Sequence, residues 1–565
     1  MKTRREFLQT TAAAAAAAAI DRTATASAPA SSLAKSRPNI ILILADDMGY
    51  SDIGPFGSEI DTPNLDRLAS NGMVMNQFYN SPRCCPSRAA LLTGLYSHQA
   101  GMGMMTSDYG RYPFPAYAGN LSKQTITIPE ALKTVGYKTA MTGKWHLTQE
   151  KDKTDKSNWP CQRGFDKFWG MTAGASVYFN PGALIEQNTP LPEPDKKTFY
   201  YTDAIADHAV NYIDELAKGK DPFFLYCAFN APHWPIQAPE HTIEKYAKRY
   251  AEGWDRLREE RHKRQIEKGI VDARWELTPR DPRVPAWEKA SFKDWEMRRY
   301  AVYAAIVDHI DQGIGRILKK LEERSALDNT LIVFMADNGG NAEEMGQMAP
   351  LKGRPNVYQG NDPKVMPGSW KTYQSIGIPW GNCCNTPFRL YKHYAHEGGI
   401  SSPFVAHWPK GIKPQAKPNP NIAHETDLMP TFLELAGATY PKSVAAGPIP
   451  EMVGQSLTPV FEHKLRSRGP IFWEHEGNKA VRFDRWKLVS RFPDGWELYN
   501  MEEDRTEMHD VAHQNEPRVK RMIAMWDDWA AKVGVQPWPM PQTPPRERTG
   551  EMRTPEYLKV DEPKH

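Results

Sequence analysis

From Pro38 onward, short apolar runs alternate with amphipathic helical stretches, the pattern of a mostly parallel sheet covered by helices. The run Asn39–Ala45 (NIILILA) carries no polar alternation, which predicts a strand buried on both faces. Further strands are expected over 137–142, 223–229 (FFLYCAF), 330–335 (TLIVFM) and 403–407 (PFVAH), with a helix over 129–135 that has Pro129 in its first turn. A long amphipathic helix over 299–324 leads into one of these strands. The fold class is therefore α/β, a large sheet flanked by helices over 37–445.

A composition change near 441–450 marks an expected domain border. Beyond it, 471–474, 480–490 and 497–500 read as strands of a smaller antiparallel sheet. Pro517 opens a helix whose Val519, Met522, Ile523, Trp526, Trp529, Ala530 and Val533 fall at helical spacing and cover that sheet. We expect a C-terminal subdomain over 455–536 and a proline-rich tail over 537–565. The charged stretch 244–268 reads as mostly solvated helix packed beside the main body, and the Gly-, Pro- and Asn-rich stretch 345–385 as irregular and pocket-shaping.

Residues 1–28 read as an export signal: Thr3-Arg4-Arg5-Glu6-Phe7-Leu8-Gln9, a weakly apolar alanine-rich run over 12–20, then Ala26-Ser27-Ala28. The run is too short to span a bilayer, so no membrane anchor is expected and the chain would be periplasmic or secreted by the twin-arginine route. Removing the signal takes the formal net charge from +3 to about +1, which offers nucleic acid no attraction.

Polar residues suited to chemistry follow the predicted strands directly. Asp46-Asp47 follow the first, Lys144 and His146 the second, His233 the third, and Asp337-Asn338 the fourth. In open α/β sheets ligands bind at the carboxyl ends of the strands, so residues nearly three hundred positions apart would converge there. Asp46, Asp47, Asp337 and Asn338 form an all-oxygen set, which suits Ca²⁺ first and Mg²⁺ second, not zinc. Cys84-Cys85-Pro86-Ser87-Arg88 belongs at a helix N-terminus, with Pro86 in the first turn and Leu91, Leu92 and Leu95 behind, so free backbone N–H groups would face an anion.

Cys-x-Pro-Ser-Arg is a sequence that a formylglycine-generating enzyme converts at its first cysteine to an aldehyde. With its extension through Ala89-Ala90-Leu91-Leu92-Thr93-Gly94 it resembles the signature of type I, formylglycine-dependent sulfatases. Gly143-Lys144-Trp145-His146, Ala231-Pro232-His233-Trp234-Pro235, Ala336-Asp337-Asn338-Gly339, Arg389-Leu390-Tyr391-Lys392 with Glu397-Gly398-Gly399-Ile400, and Ala480-Val481-Arg482 with Trp486-Lys487-Leu488 extend the likeness over most of the chain. They are most similar to motifs of bacterial calcium-dependent arylsulfatases.

That resemblance implies the alkaline-phosphatase-like fold and a metal held by Asp46, Asp47, Asp337 and Asn338 together with the modified Cys84. It also implies that Arg88 and Lys144 orient the aldehyde hydrate, His146 handles the hydrate's proton, and His233 and Lys392 grip the sulfate and assist the leaving oxygen. His393 and His396 stand beside Lys392 as alternatives, and His98 reads as structural. The implied reaction is hydrolysis of a sulfate ester, small-molecule or glycan, through a formylglycine hydrate and a sulfo-enzyme intermediate. Rival readings are a phosphate or phosphonate monoester hydrolase, a carbohydrate sulfatase, and a catalytically silent glycan-binding protein. Six cysteines do not read as three disulfides, because Cys84 is claimed by modification, Cys85 and Cys384 have cysteine neighbours, and a large core needs no staples.

Overall fold

The computed structural model describes residues 32–346, 348–545 and 555–558, so the export signal expected over 1–28 and part of the expected tail lie outside the described residues. The main sheet contains β1 (Asn39–Ala45), β2 (Met73–Tyr79), β3 (Lys138–Lys144), β4 (Lys167–Met171), β5 (Leu184–Glu186), β6 (Thr189–Pro190), β7 (Phe223–Ala228) and β8 (Thr330–Ala336). A separate small sheet holds β9 (Ala349–Leu351), β10 (Arg354–Gln359) and β11 (Thr372–Tyr373). The main sheet is completed by β12 (Ser401–His407) and β13 (Ala423–His424). Its strand order is β13-β2-β12-β8-β1-β7-β3-β4-β5-β6.

β8, β1, β7, β3 and β4 run parallel. β12 is antiparallel to both β8 and β2, which leaves β2 parallel to the central strands. Along β1 the side chains alternate between two apolar cores. Ile41 and Ile43 pack toward the helices Tyr201–Leu216 and Lys293–Glu323, and Ile40, Leu42 and Leu44 toward Cys84–Thr93, Ile128–Lys133 and Leu428–Ala436. Both faces being covered explains why the strand sequence is continuously apolar.

Three expectations need correction. The stretch 244–268 takes in the end of the helix Glu240–Tyr246 and the whole helix Gly253–Glu267, and the second is not mostly solvated. Arg261 is fully buried, with its guanidinium on Asp52 (2.7 Å) and Glu59 (2.8 Å), and Trp254 and Gln265 are buried beside it. The stretch 345–385 is not irregular throughout, since it forms β9–β11 and the buried helix Gly377–Cys384. The long helix starts at Lys293, six residues before the expected start at 299.

Past a two-stranded ribbon, β14 (Ser443–Val444) with β15 (Gly447–Pro448), the chain forms an antiparallel meander of β16 (Ile471–His475), β17 (Asn478–Phe483), β18 (Trp486–Ser490) and β19 (Glu497–Asn500). One face is covered by the helix Glu516–Val533 through Trp526 and Trp529. The other packs Trp473, Ala480 and Val489 against Tyr79, Ala395 and Ile400 of the main body. A buried charge cluster ties the two sheets: Lys487 and Arg505 each donate to Glu397 at 2.8 Å. The six cysteines form no disulfide; Cys227 is buried and Cys161 partly exposed. Among the described residues no helix is long and apolar enough to cross a membrane.

Candidate active site

Five parallel strands deliver the site. β1 and β8 pair with Ala45 opposite Ala336, so Asp46-Asp47 and Asp337-Asn338 leave the sheet side by side, and the Asp337 N–H donates to the Ala45 carbonyl at 3.0 Å. β7 pairs with β1 and β3, which brings Ala231 against the Asp46 N–H (2.9 Å) and sets Lys144 at the same edge. β2, which the sequence reading did not identify, turns at Asn80 into the helix Cys84–Thr93. Cys84 is the first residue of that helix, so its amide end points into the carboxylate cluster.

Contacts are short throughout. Lys144 Nζ donates to Asp46 Oδ2 at 2.6 Å, and Lys392 Nζ to Asp47 Oδ2 at 2.9 Å. Arg88 donates twice to Asp337 Oδ2, at 3.0 and 2.8 Å, and once to the Lys144 carbonyl at 2.9 Å. The Asp47 N–H donates to Asp337 Oδ1 at 3.1 Å, and Asn338 Nδ2 to Asp47 Oδ1 at 2.8 Å. His233 Nε2 lies 3.4 Å from both Asp47 Oδ2 and Lys392 Nζ, while its Nδ1 meets the Trp234 carbonyl at 2.6 Å. Ligand atoms of Asp46, Asp47, Cys84 and His233 fall within 4.8 Å of one another.

The backbone is strained where it aims these groups. Asp47, His146, Leu390 and His393 all have positive φ, at 65°, 58°, 63° and 91°. Such conformations cost on the order of 1–3 kcal/mol each and persist only when the surroundings impose them. Gly339 must be glycine, because a Cβ there would sit 1.8 Å from the Gly398 carbonyl oxygen. That approach joins the Asp337-Asn338-Gly339 and Glu397-Gly398-Gly399 motifs, and the Gly339 N–H donates to the Gly399 carbonyl at 3.0 Å.

The electrostatics favour an anionic nucleophile. Burial opposes the Cys84 thiolate, but the Lys144 and Lys392 ammonium groups and a hydrogen bond with His233 outweigh it and bring the thiol down to about 6. Burial, reinforced by Lys144 and Arg88, holds His146 well below its ordinary value and hence neutral. Against burial, Lys392 and His233 pull Asp47 far below the carboxylate range. Asp46 moves the other way, because burial and the neighbouring Asp337 outweigh Lys144. Asp46 Oδ1 and Asn338 Oδ1 are buried without any hydrogen-bond partner. Orphaned oxygens among three carboxylates are what a hard divalent cation would satisfy, so the donor set fits Ca²⁺ or Mg²⁺.

His393 and His396 do not stand in for Lys392. His393 faces Glu476 (3.3 Å), in the turn between β16 and β17, and His396 faces Glu497 (3.2 Å), at the start of β19. His98 is bonded to Glu474 at 2.8 Å, away from the cluster. The sequence reading missed Asn341, which donates to Asp47 Oδ2 at 2.7 Å, and Glu343, which joins Trp234 Nε1 (2.7 Å), Arg83 (2.9 Å) and Lys392 (3.7 Å). Neither sits in a recognisable spacing; only their place just after Asp337-Asn338-Gly339-Gly340 hints at a site.

Glu425 was also missed. It accepts from the Ser81 N–H (2.9 Å) and Ser81 Oγ (2.6 Å) and touches Ser87 Oγ of the Cys84 helix. Burial raises its carboxyl well above the ordinary value, and the serine bonds only partly counter this. A raised carboxyl favours the folded state below the unfolded value and loses that contribution as pH climbs toward the folded one. Glu425→Gln should therefore gain stability relative to wild type between pH 5 and pH 8, by up to about 1.4 kcal/mol per pH unit. Urea unfolding at both pH values checks this; a pH-independent difference contradicts it.

Comparisons with known proteins point to one family. A family model described as Sulfatase matches residues 38–438, and one described as N-sulphoglucosamine sulphohydrolase, C-terminal, matches 388–528. The chain is 31% identical over 532 residues to an uncharacterized sulfatase of Schizosaccharomyces pombe, covering 88% of this chain and 94% of the relative. It is 34% identical over 466 residues to an arylsulfatase of Klebsiella aerogenes, covering 78% and 95%. The solved structure of Ps i-CgsB in complex with k-i-k-neocarrahexaose superposes with a TM-score of 0.62 at 26% identity, covering 87% of this chain and 93% of that one.

Proposed function

The chain belongs to the sulfatase family and is a sulfuric ester hydrolase of alkaline-phosphatase-like α/β fold, and from that premise we propose that its nucleophile is a formylglycine hydrate made from Cys84. The observation that carries the proposal is the setting of Cys84, at a helix N-terminus between Lys144, Lys392 and His233, with the orphaned oxygens of Asp46 and Asn338 among the surrounding carboxylates and amide. One hydroxyl of the hydrate attacks sulfur as the S–O bond to the alcohol breaks. The second hydroxyl then loses its proton, the C=O re-forms and sulfate leaves, which a single hydroxyl cannot do.

Asp46, Asp47, Asp337 and Asn338 would hold the divalent cation together with the modified residue. When bound it would neutralise charge on the transferred group. Arg88 and Lys144, tied to Asp337 and Asp46, are placed to orient the nucleophile; neutral His146 can take the hydrate's proton. His233, fixed through its Nδ1, presents Nε2 beside Lys392 and can supply the proton that the departing alcohol needs.

Aryl sulfates are the proposed substrate class, supported by the likeness to the Klebsiella aerogenes arylsulfatase. A carbohydrate sulfate is the second reading, supported by the C-terminal match to a sulphoglucosamine enzyme. Peptide mass mapping of active protein should find the aldehyde or its hydrate at Cys84 and an unmodified Cys85. Paired assays on nitrophenyl sulfate, nitrophenyl phosphate and sulfated sugars should rank the sulfates first. A thiol at Cys84 in fully active enzyme, or a preference for phosphate, overturns the proposal.

A further inference from the structure

We propose that His393, His475 and Glu476 form a second metal site, for a zinc-class divalent ion, at the junction between the Lys392 loop and the C-terminal sheet. Nitrogen and oxygen donors from the three residues lie within 4.8 Å of one another. His393 Nδ1 is 3.3 Å from Glu476 Oε2, and His475 Nε2 is 3.7 Å from Glu476 Oε1. Donors bound at about 2.0–2.2 Å around a tetrahedral zinc stand roughly 3.4 Å apart, and each imidazole stands at about that spacing from its own oxygen of the Glu476 carboxylate. Two imidazoles and one carboxylate suit zinc or cobalt and not calcium, which takes an all-oxygen shell.

An independent observation points to a ligand. The His475 side chain is completely buried, and neither ring nitrogen has a hydrogen-bond partner of good geometry, although the Gly103 backbone stands close to the ring. A buried imidazole so poorly satisfied is costly and calls for an explanation, and a metal on Nε2 supplies one.

The backbone holds the three in place. His475 ends β16 and Glu476-Gly477 forms the two-residue turn into β17, both residues at positive φ. His393 is itself left-handed, and its N–H donates to the Pro82 carbonyl at 2.6 Å, which ties it to the segment before Cys84. The His393 side chain is 25% exposed and that of Glu476 16%, so an ion has an entry path. The facing cation is Arg83, whose guanidinium is held by Glu343 at 2.9 Å.

The test is metal content, so it does not depend on turnover or on the state of Cys84. Wild type, Glu476→Gln, His393→Ala and His475→Ala are dialysed against Zn²⁺ with Ca²⁺ in excess, and retained zinc is measured by mass spectrometry; Co²⁺ replaces Zn²⁺ in a parallel set for absorption spectra. Wild type should keep one more equivalent of zinc than any folded variant and show four-coordinate cobalt bands that the variants lose. Circular dichroism identifies folded proteins; if His475→Ala does not fold, the two more exposed positions decide. Equal zinc in wild type and variants, or none in wild type, overturns the proposal, and zinc held only at the carboxylate cluster would appear as equal retention.

Discussion

Cys84→Ser enzyme is expected to release at most one alcohol per molecule and then stop, carrying a stable sulfate ester on the introduced serine. The variant keeps what activates a hydroxyl: the helix N-terminus, Lys144 on Asp46 at 2.6 Å, Arg88 on Asp337, and His233 beside Lys392. The cations that bring Cys84 down to about 6 would equally favour the alkoxide in the first step. What it lacks is a second hydroxyl on the same carbon, so nothing expels sulfate. Sustained turnover should fall by about 10³-fold or more, the scale seen when a covalent nucleophile is disabled. Burst kinetics with an aryl sulfate count the released alcohol, and intact mass detects the ester. Multiple turnover at an undiminished rate would show that water resolves the intermediate, and the formylglycine reading would fall.

Asp337→Ala should damage stability, metal binding and rate together. Asp337 takes two bonds from Arg88 and one from the Asp47 N–H, and Arg88 is completely buried. Removing the carboxylate strips both of these bonds from a buried guanidinium and leaves it, as counter-charge, only the Asp46 carboxylate at 3.6 Å, which costs about 3–5 kcal/mol. Asp337→Asn keeps an acceptor for Asp47 but not the charge, so it should unfold later than Asp337→Ala while losing metal to a similar degree. Chelation of wild type should abolish activity and Ca²⁺ should restore it; neither variant should respond fully. Wild-type rates in metal-free protein would remove the cation from the proposed site, and unchanged stability in Asp337→Ala would contradict the buried ion pair.

The sequence by itself determined the central strands, because β1, β7 and β8 are covered on both faces and so read as unbroken apolar runs. It determined as well that chemistry-bearing residues follow those runs, since parallel strands place their carboxyl ends on one edge. β2 was hidden by its alternating exposure, MVMNQFY, and with it the element that delivers Cys84 to that edge. Tertiary structure alone decided the rest. Lys392 enters the site while His393, the next residue, turns away: Leu390 and His393 are both left-handed, and the Pro82 carbonyl holds the His393 N–H at 2.6 Å. Arg261 lies in a helix whose charge pattern predicts solvent, but Asp52 and Glu59 receive it in the interior. Asn341, Glu343 and Glu425 acquire their roles only through partners distant in sequence. Local pattern reports which face of an element is apolar; which charged group meets which across the molecule is fixed only when the whole chain packs.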